Sequence, residues 1–578
     1  MRGASRQRLR AGHTGLAVGV LATGCAFTAT TGTSSHALRS LSAYSPRHAP
    51  RWEHLQRYGG YSGALLAAVS GVPVLRSRFS QARRSAKKEI EAEGGFSLEP
   101  PSGTRDFFPE DMRMQRWLFD RFRETAQLYG FQEYDAPVLE SEDLYKRKAG
   151  EEITEQMYNF RDKEGAAVTL RPEMTPSLAR MVLSLMRAET GAIAAVLPLK
   201  WYSIPQCWRF ETTQRGRKRE HYQWNMDIVG VSAVTAEAEL LSAVVSFFES
   251  VGITSKDVGL KINSRKVLAA VLNAAGVPSE KFAETCVIID KLDKIGADAV
   301  KKDLAKLVGL SPEVSDTIVA ATGAKTLEEF ADIAGVGESS EVEELRRLFA
   351  LAEDYGFADW LQFDASVVRG LAYYTGVVFE GFDRAGVLRA VCGGGRYDKL
   401  LELYGSKKEV PCVGFGFGDC VVMELLKERN VLPDLGANVD MVVAAYNADM
   451  MGKAMNVARR LRLTGKSVDV YPEPGRKVKK AFRYADKVGA AKIAFVAPDE
   501  WEKGEVRIKD LRCAADTPDE KKQCDIPLEK LSELDSFFSW DAVQNHQEKV
   551  PKASHTSYCL NIKNSIAFTA SIHRVDAG

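Results

Sequence analysis

Apolar and polar positions alternate along Gln206-Cys207-Trp208-Arg209-Phe210-Glu211, and again along Tyr222-Gln223-Trp224-Asn225-Met226-Asp227-Ile228. A period of two sends successive side chains to opposite faces of a strand. The pattern predicts a long hairpin with Arg209 and Glu211 on one face of the first arm. The return arm carries Gln223, Asn225 and Asp227 on one face, and Arg215, Arg217, Lys218 and Arg219 crowd the tip around Gly216.

The same reading extends along the chain. Met112 to Gly130 has Trp117, Leu118, Phe122 and Leu128 on roughly one helical face, with Gly130 as a stop. Phe131 to Leu139 reads as a strand interrupted by Pro137, which only an edge or interface position tolerates. Val168 to Ser177 reads as a strand ending in a turn, with a helix from Leu178. Glu173 and Thr175 then stand at a strand end, a common place for ligand-binding side chains; an ordinary helix N-cap at Thr175 or Ser177 fits the spacing equally. A helix (Ala236 to Val251) and a strand (Val258 to Ile262) follow. From 263 to 352 the periodicity is helical, as at Val300, Leu304 and Leu307 and at Val342, Leu345 and Phe349. Strand patterns resume over 364–380. Gly393 to Gly395 read more naturally as a tight turn than as a phosphate loop. Val413 to Val421 read as a Gly-rich strand running into a helix. After a linker at 432–438, strands and helices alternate over 439–511, predicting a small α/β unit with a mostly parallel sheet. Beyond about residue 533 no usable periodicity remains.

Composition changes the picture in three places. The 578-residue chain holds 78 Lys and Arg against 77 Asp and Glu, but residues 1–88 hold fourteen of the basic residues and one acid. The remainder is acidic, so a nucleic-acid partner must be held by local basic patches. Residues 1–92 read as a targeting leader. Arg2, Arg6, Arg8 and Arg10 precede the apolar run Leu16 to Ala29, followed by acid-poor Ser/Arg-rich sequence and a second short apolar run, Gly63 to Leu75. The nine cysteines form no CxxC pair, which gives no sign of a zinc site or a disulfide framework. Of eight histidines only His221 lies between residues 55 and 545, which argues against Ser-His-Asp hydrolases and His-ligated metals.

The Arg-x-Glu strand at 209–211, its loop and the return strand resemble motif 2 of the class II aminoacyl-tRNA synthetases. Helix, strand and Pro137 resemble motif 1, the dimer-interface element. Arg369-Gly370-Leu371-Ala372-Tyr373-Tyr374 and Cys392-Gly393-Gly394-Gly395-Arg396-Tyr397-Asp398 are similar to the two signatures of the histidyl-tRNA synthetases. Ala372 departs from the Asp common in bacterial members. Val413 to Val421 occupies the place of motif 3, but Cys420 and Val421 stand where the family carries Glu-Arg, so the arginine that meets the ATP γ-phosphate is missing from its usual place.

The resemblance implies an α+β fold: an antiparallel class II sheet flanked by helices, a helical insertion and a C-terminal α/β anticodon-binding domain. The corresponding boundaries are 96–262 and 353–432 for the catalytic parts, 263–352 for the insertion, 437–532 for the anticodon domain and 533–578 for a tail. It implies a histidine–tRNA ligase that uses ATP with bound Mg²⁺, without a metal site made of protein ligands, and acts on tRNA(His) as a homodimer. Arg209 and Arg369 would flank the α-phosphate, Glu211 the adenine end and Arg217 the outer phosphates. Glu173, Thr175 and Gln223 would hold the α-amino group of histidine, with Met174 beside them. Asp227 and Tyr374 would bind the imidazole nitrogens in a pocket lined by Tyr373 and Tyr397. Arg215, Lys218 and Arg219 would reach the tRNA acceptor end. Lys479, Lys480 and Arg483, next to Phe482 and Tyr484, make either an RNA-binding face or a solvated helix face. The leader resembles two-part plastid leaders, with a mitochondrial presequence second and an unstructured extension of a cytoplasmic protein third. The alternative in another functional class is a silent, histidine-binding regulatory paralogue, against which residues 439–511 and the Arg209/Glu211/Arg369 set argue.

Overall fold

The computed structural model describes residues 97–146, 154–187, 193–289, 291–367, 373–436, 439–474, 478–514, 517–518 and 522–538. The leader, Arg369 with its neighbours to 372, and the chain beyond Phe538 lie outside the described residues.

The first part of the described chain contains strands β1 (Gln132–Glu133), β2 (Leu139–Ser141), β3 (Tyr158–Arg161), β4 (Ala167–Leu170), β5 (Leu199–Ser203), β6 (Gln206–Trp208), β7 (Glu220–Val229), β8 (Val258–Ser264), β9 (Leu361–Phe363), β10 (Val377–Asp383), β11 (Cys392–Arg396) and β12 (Cys412–Gly418). Nine of them make one sheet in the order β1-β5-β7-β12-β11-β10-β8-β9, with β6 paired to the start of β7. Its two edge pairs, β1–β5 and β8–β9, are parallel and the pairs between them are antiparallel, so the sheet is mixed. β2, β4 and β3 form a small antiparallel sheet. Helices α1 (Pro109–Leu128), α2 (Thr175–Ser184), α3 (Thr235–Ser250) and α4 (Asp419–Glu428) accompany them.

The alternation along β7 does what a half-polar strand should: Trp224, Met226 and Ile228 enter the core, and Gln223, Asn225 and Asp227 take the other face. Trp224 lies 4.7 Å from Phe122 of α1 and 5.1 Å from Phe415 of β12, centroid to centroid. Replacing such a side chain with Ala costs about 3–5 kcal/mol. The apolar face thus anchors the strand, and its polar face is held rigidly toward the site.

Several expectations are corrected. Helix α1 begins at Pro109, since proline suits the first helical position, where its missing N–H is not needed. The stretch around Pro137 is not one strand: β1 joins the large sheet and β2 the small one, with the proline between them. Helix α2 begins at Thr175, and neither Thr175 nor Ser177 caps it; Met174 holds the cap position without a side-chain bond. The first hairpin arm ends at Trp208, because the Phe210 N–H turns away to the Gln156 carbonyl. Gly393 to Gly395 are a central strand, β11, and not a turn; a Cβ on Gly394 would collide with the backbone of β12.

Residues Arg265–Ala274 through Ser340–Tyr355 are helical, with Ser311, Thr326 and Ser339 as side-chain N-caps. Their apolar side chains, Val300, Leu304, Val342 and Leu345 among them, belong to the same core as the sheet. Leu304–Val308 winds as a π-helix, which turns Leu307 outward and Val308 inward.

The C-terminal part contains β13 (Met441–Ala445), β14 (Val468–Val470), β15 (Lys492–Val496), β16 (Glu505–Asp510) and β17 (Gln523–Pro527), in the order β14-β13-β15-β16-β17. Only β14-β13-β15 is parallel; β16 and β17 add antiparallel pairs, so the expected mostly parallel sheet is half antiparallel. Helices α5 (Met451–Arg462) and α6 (Val478–Lys487) pack on opposite faces, which is why β13 is apolar throughout. A 3₁₀ segment, Leu528–Phe538, packs Leu531 and Leu534 into this core, so ordered structure runs past residue 533.

Candidate active site

Strands β7, β11 and β12 floor a cavity. The hairpin supplies Arg209, Glu211, Arg217, Lys218, His221 and Gln223, the chain entering β11 supplies Arg389, and Gly416, Gly418, Cys420 and Val421 close it. The glycine pattern of β12 has a spatial cause. A Cβ on Gly416 would run into the Gln223 amide, and one on Gly414 into the Asp227 carboxylate. The bare strand makes room for polar side chains of its neighbour.

Cations dominate the cavity. Arg209 Nε donates to the Pro172 carbonyl at 2.9 Å, and its guanidinium lies 3.9 Å from Glu173 and 4.0 Å from Glu211. Arg217 Nε pairs with Glu211 at 2.5 Å. Burial, then Arg209, Arg105, Arg389 and Arg217, push the His221 imidazole down to about 3, so it is neutral at working pH.

Beyond Gln223 the site becomes enclosed. Asp227 is buried, and Tyr397 Oη donates to its Oδ1 at 2.5 Å. Burial raises the Asp227 carboxyl to about 7, against the opposing bond from Tyr397. Tyr373, Tyr374 and Tyr397 are buried together, with ring centroids 5.0 Å apart for Tyr373–Tyr374 and 6.0 Å for Tyr373–Tyr397. Tyr373 Oη donates to Glu173 at 3.4 Å. Glu173 and Met174 are buried, and Thr175 opens α2 beside them.

Two further arginines are structural. Arg396, inside the Gly-rich signature, is fully buried and bonds Glu237 through two 2.6 Å contacts. Arg105 bonds Glu220 at 2.8 Å and Asp419 at 2.9 Å, and Asp419 also accepts the Tyr222 N–H. The Asp in the altered Gly-Asp-Cys stretch therefore pins the chain before α1 to the start of β7.

The cations assigned to tRNA divide. Lys218 lines the cavity. Arg215 is paired with Glu424 at 3.0 Å and Glu428 at 2.6 Å on α4, and Arg219 lies over the Phe210 ring at 4.0 Å. Lys479, Lys480 and Arg483 are exposed on α6, in the C-terminal part. Sequence reasoning assigned no role to Arg389, His221, Arg105 or Tyr134. Burial and the neighbouring Asp227 hold the Tyr134 hydroxyl proton tightly, and Tyr134 continues β1 on the face that carries Asp227. The usable signal was the solitary His221 in an arginine-rich hairpin.

The model of the histidyl-tRNA synthetase family matches residues 103–418, and that of an anticodon binding domain matches 440–534. The chloroplastic/mitochondrial histidine–tRNA ligase of Arabidopsis thaliana is 51% identical over 414 residues, 72% of this chain and 83% of the relative. The histidine–tRNA ligase of Opitutus terrae is 34% identical over 446 residues, 76% of this chain and 98% of the relative. The crystal structure of histidyl-tRNA synthetase from Nostoc shares the fold, with a TM-score of 0.61 at 23% identity over 76% of this chain and 99% of that one. Mixed sheet, flanking helices and a C-terminal anticodon-binding domain are those of a class II aminoacyl-tRNA synthetase. Within that class, the chain belongs to the histidyl-tRNA synthetase family.

Proposed function

We propose that the arginine-lined cavity and the tyrosine-lined pocket are the ATP and histidine halves of one active site. The reaction of a histidine–tRNA ligase joins histidine to ATP as histidyl-adenylate, with release of pyrophosphate, and then passes histidine to the terminal adenosine of tRNA(His). The observation that carries the assignment is the position of Glu173, 3.9 Å from Arg209 and 3.4 Å from Tyr373, which links the two halves. A histidine whose α-ammonium meets Glu173 would have its carboxylate beside Arg209, where an α-phosphate must lie.

The first step needs no general base. The substrate carboxylate is already ionised and attacks the α-phosphate, so catalysis is positioning plus neutralisation of charge. Arg209, steadied by the Pro172 carbonyl, meets the α-phosphate, with Arg369 assigned to its other side. Arg217 and Glu211 stand toward the nucleotide. Thr175 and Gln223 share the α-amino group with Glu173, and Met174 closes that wall. Asp227 takes one imidazole N–H and Tyr374 addresses the other ring nitrogen, while Tyr373 and Tyr397 line the pocket. Mg²⁺ typically keeps substrate phosphates and one or two carboxylates as ligands. Glu211 is the carboxylate lining this cavity that could serve, and bound Mg²⁺ would screen the phosphate charge. Among the described residues no cluster of three His, Cys, Asp or Glu could hold a metal by itself.

The same reading gives residues 96–262 and 353–432 the chemistry and 437–532, with Lys479, Lys480 and Arg483, the anticodon. Lys218, Arg215 and Arg219 border the approach of the acceptor end. A homodimer is supported by exposed apolar side chains at Leu128, Val138, Leu139 and Phe160, near the motif 1 segment. The organellar name of the Arabidopsis relative supports import directed by residues 1–92, and the two-part pattern of the leader is what puts a plastid ahead of a mitochondrion. Microscopy of residues 1–95 fused to a fluorescent reporter tests the destination; diffuse cytoplasmic signal would remove the leader assignment. For the site, exchange of pyrophosphate into ATP should require histidine and no other amino acid. Glu173→Gln should raise the histidine KM and lower kcat; unaltered values would take Glu173 out of the site.

A further inference from the structure

Arg389 is the cavity cation that the reading above leaves without a task. Arg209 is tied to a carbonyl and lies near two carboxylates, and Arg217 is tied to Glu211. Arg389 precedes β11, borders the cavity and, among the described residues, makes no hydrogen bond or ion pair. Its side chain is exposed at the cavity rim, and partial desolvation there, with the like charges of Arg217 and Arg209, lowers its hold on its proton against the pull of Glu211 and Glu380. Cations gathered around one lining carboxylate, with Arg389 and Lys218 unbonded among the described residues, suit a polyanion more negative than a single phosphate. The position is also specific. At the start of α4, where the resembling family carries an arginine toward the γ-phosphate, this chain has Val421, packed toward Gly216 in the wall of the same cavity. The cavity therefore lacks a cation from α4 and holds one from the chain entering β11, a different strand of the same sheet.

We propose that Arg389 binds the outer phosphates of ATP, and equally the pyrophosphate that leaves, supplying from the chain entering β11 the charge that α4 lacks. The inference rests on the reading of the cavity as the ATP site. Arg217, held by Glu211, then serves as the inner neighbour, and Arg389 grips the end of the chain. Its fork suits phosphate oxygens better than a lysine ammonium would.

The test is steady-state pyrophosphate exchange with the full chain carrying Arg389→Ala or Arg389→Lys, together with a single-turnover transfer of histidine from enzyme-bound histidyl-adenylate to tRNA. Loss of a charge-assisted phosphate contact should raise the KM for ATP and for pyrophosphate at least about tenfold in Arg389→Ala, with a smaller rise in Arg389→Lys. The KM for histidine should not move. Transfer from the adenylate, which has no outer phosphates, should keep its rate. An unchanged pyrophosphate KM, or a transfer rate that falls in step with exchange, would overturn the assignment. If the unmutated protein shows no histidine-dependent exchange, the ATP-site reading itself fails.

Discussion

At the arginine-lined end of the cleft, Arg209, Arg217 and Arg389 sit around a glycine floor, open enough to meet solvent. At the tyrosine-lined end, Asp227 is buried and enclosed by tyrosines. The first region holds like charges together and is relieved when an anion arrives. The second holds a carboxyl whose charge is costly until a donor arrives. Both are poised by what they lack in the free protein. Arg396, paired with Glu237 in the core, marks the contrast: its charge is satisfied within the fold and is not available to a substrate.

The largest effect should follow from removing the best-placed cation. Arg209→Ala should lower kcat/KM for pyrophosphate exchange by roughly 10³, the scale of a lost electrostatic stabiliser of the transition state. Thermal unfolding should be nearly unchanged, because Arg209 lies at the cavity rim and not in the core. A large drop in Tm would instead place Arg209 with Arg396 as a structural residue.

Glu237→Ala should show the reverse pattern. Removing the closer carboxylate from the buried Arg396 guanidinium, which keeps Asp398 at 3.2 Å, should cost up to about 3–5 kcal/mol of stability. Calorimetry should record a lower Tm, while the substrate KM values of the protein that remains folded stay the same.

The buried Asp227 gives a pH prediction. In the unfolded chain it loses its proton near pH 4, but burial keeps the proton to about 7 in the folded state. Between those values the folded state binds more protons, so the contribution of Asp227 to stability falls as pH rises, then levels above pH 7. Asp227→Asn cannot titrate. Its advantage in unfolding free energy over the unmutated protein, read from denaturant titrations, should grow from pH 5 to 7 and stay constant above, reaching roughly 2–4 kcal/mol. A gap that does not change with pH would show that Asp227 is ionised throughout.

The smallest effect concerns a surface. Charge reversal at Lys479 and Lys480 should weaken tRNA binding by about tenfold and flatten its salt dependence. Pyrophosphate exchange without tRNA should be untouched. Equal loss in both assays would point to folding.

Legibility followed the same division. Alternation along β7 located Gln223 and Asp227 correctly, because one face had to be buried against Trp224 and its neighbours. The apolar face of α1 was legible at Leu118 and Phe122, which are buried, but Leu128, expected on the same face, is exposed because it lies at the helix end, past the core. Gly393 to Gly395 misled, because glycine signals a turn locally, and only the packing of β12 shows that a side chain has no room. Arg389 was passed over although the Cys392–Asp398 signature begins close after it, since a lone exposed arginine before a strand shows nothing of the hairpin, far away in the chain, that completes its cavity. The last helical segment, to Phe538, was missed because its two buried leucines are too few to display a period.

The most direct test is the pair of Michaelis constants in pyrophosphate exchange for Asp227→Asn. The substitution keeps the shape of the carboxyl and replaces its charge with an added donor. Imidazole has one donor and one acceptor nitrogen in its neutral form, and a pocket that pairs both loses heavily when one partner is wrong. The histidine KM should rise by roughly 10² or more, and the ATP KM should stay within about twofold. A histidine KM equal to that of the unmutated protein would contradict the placement of histidine in the tyrosine-lined pocket.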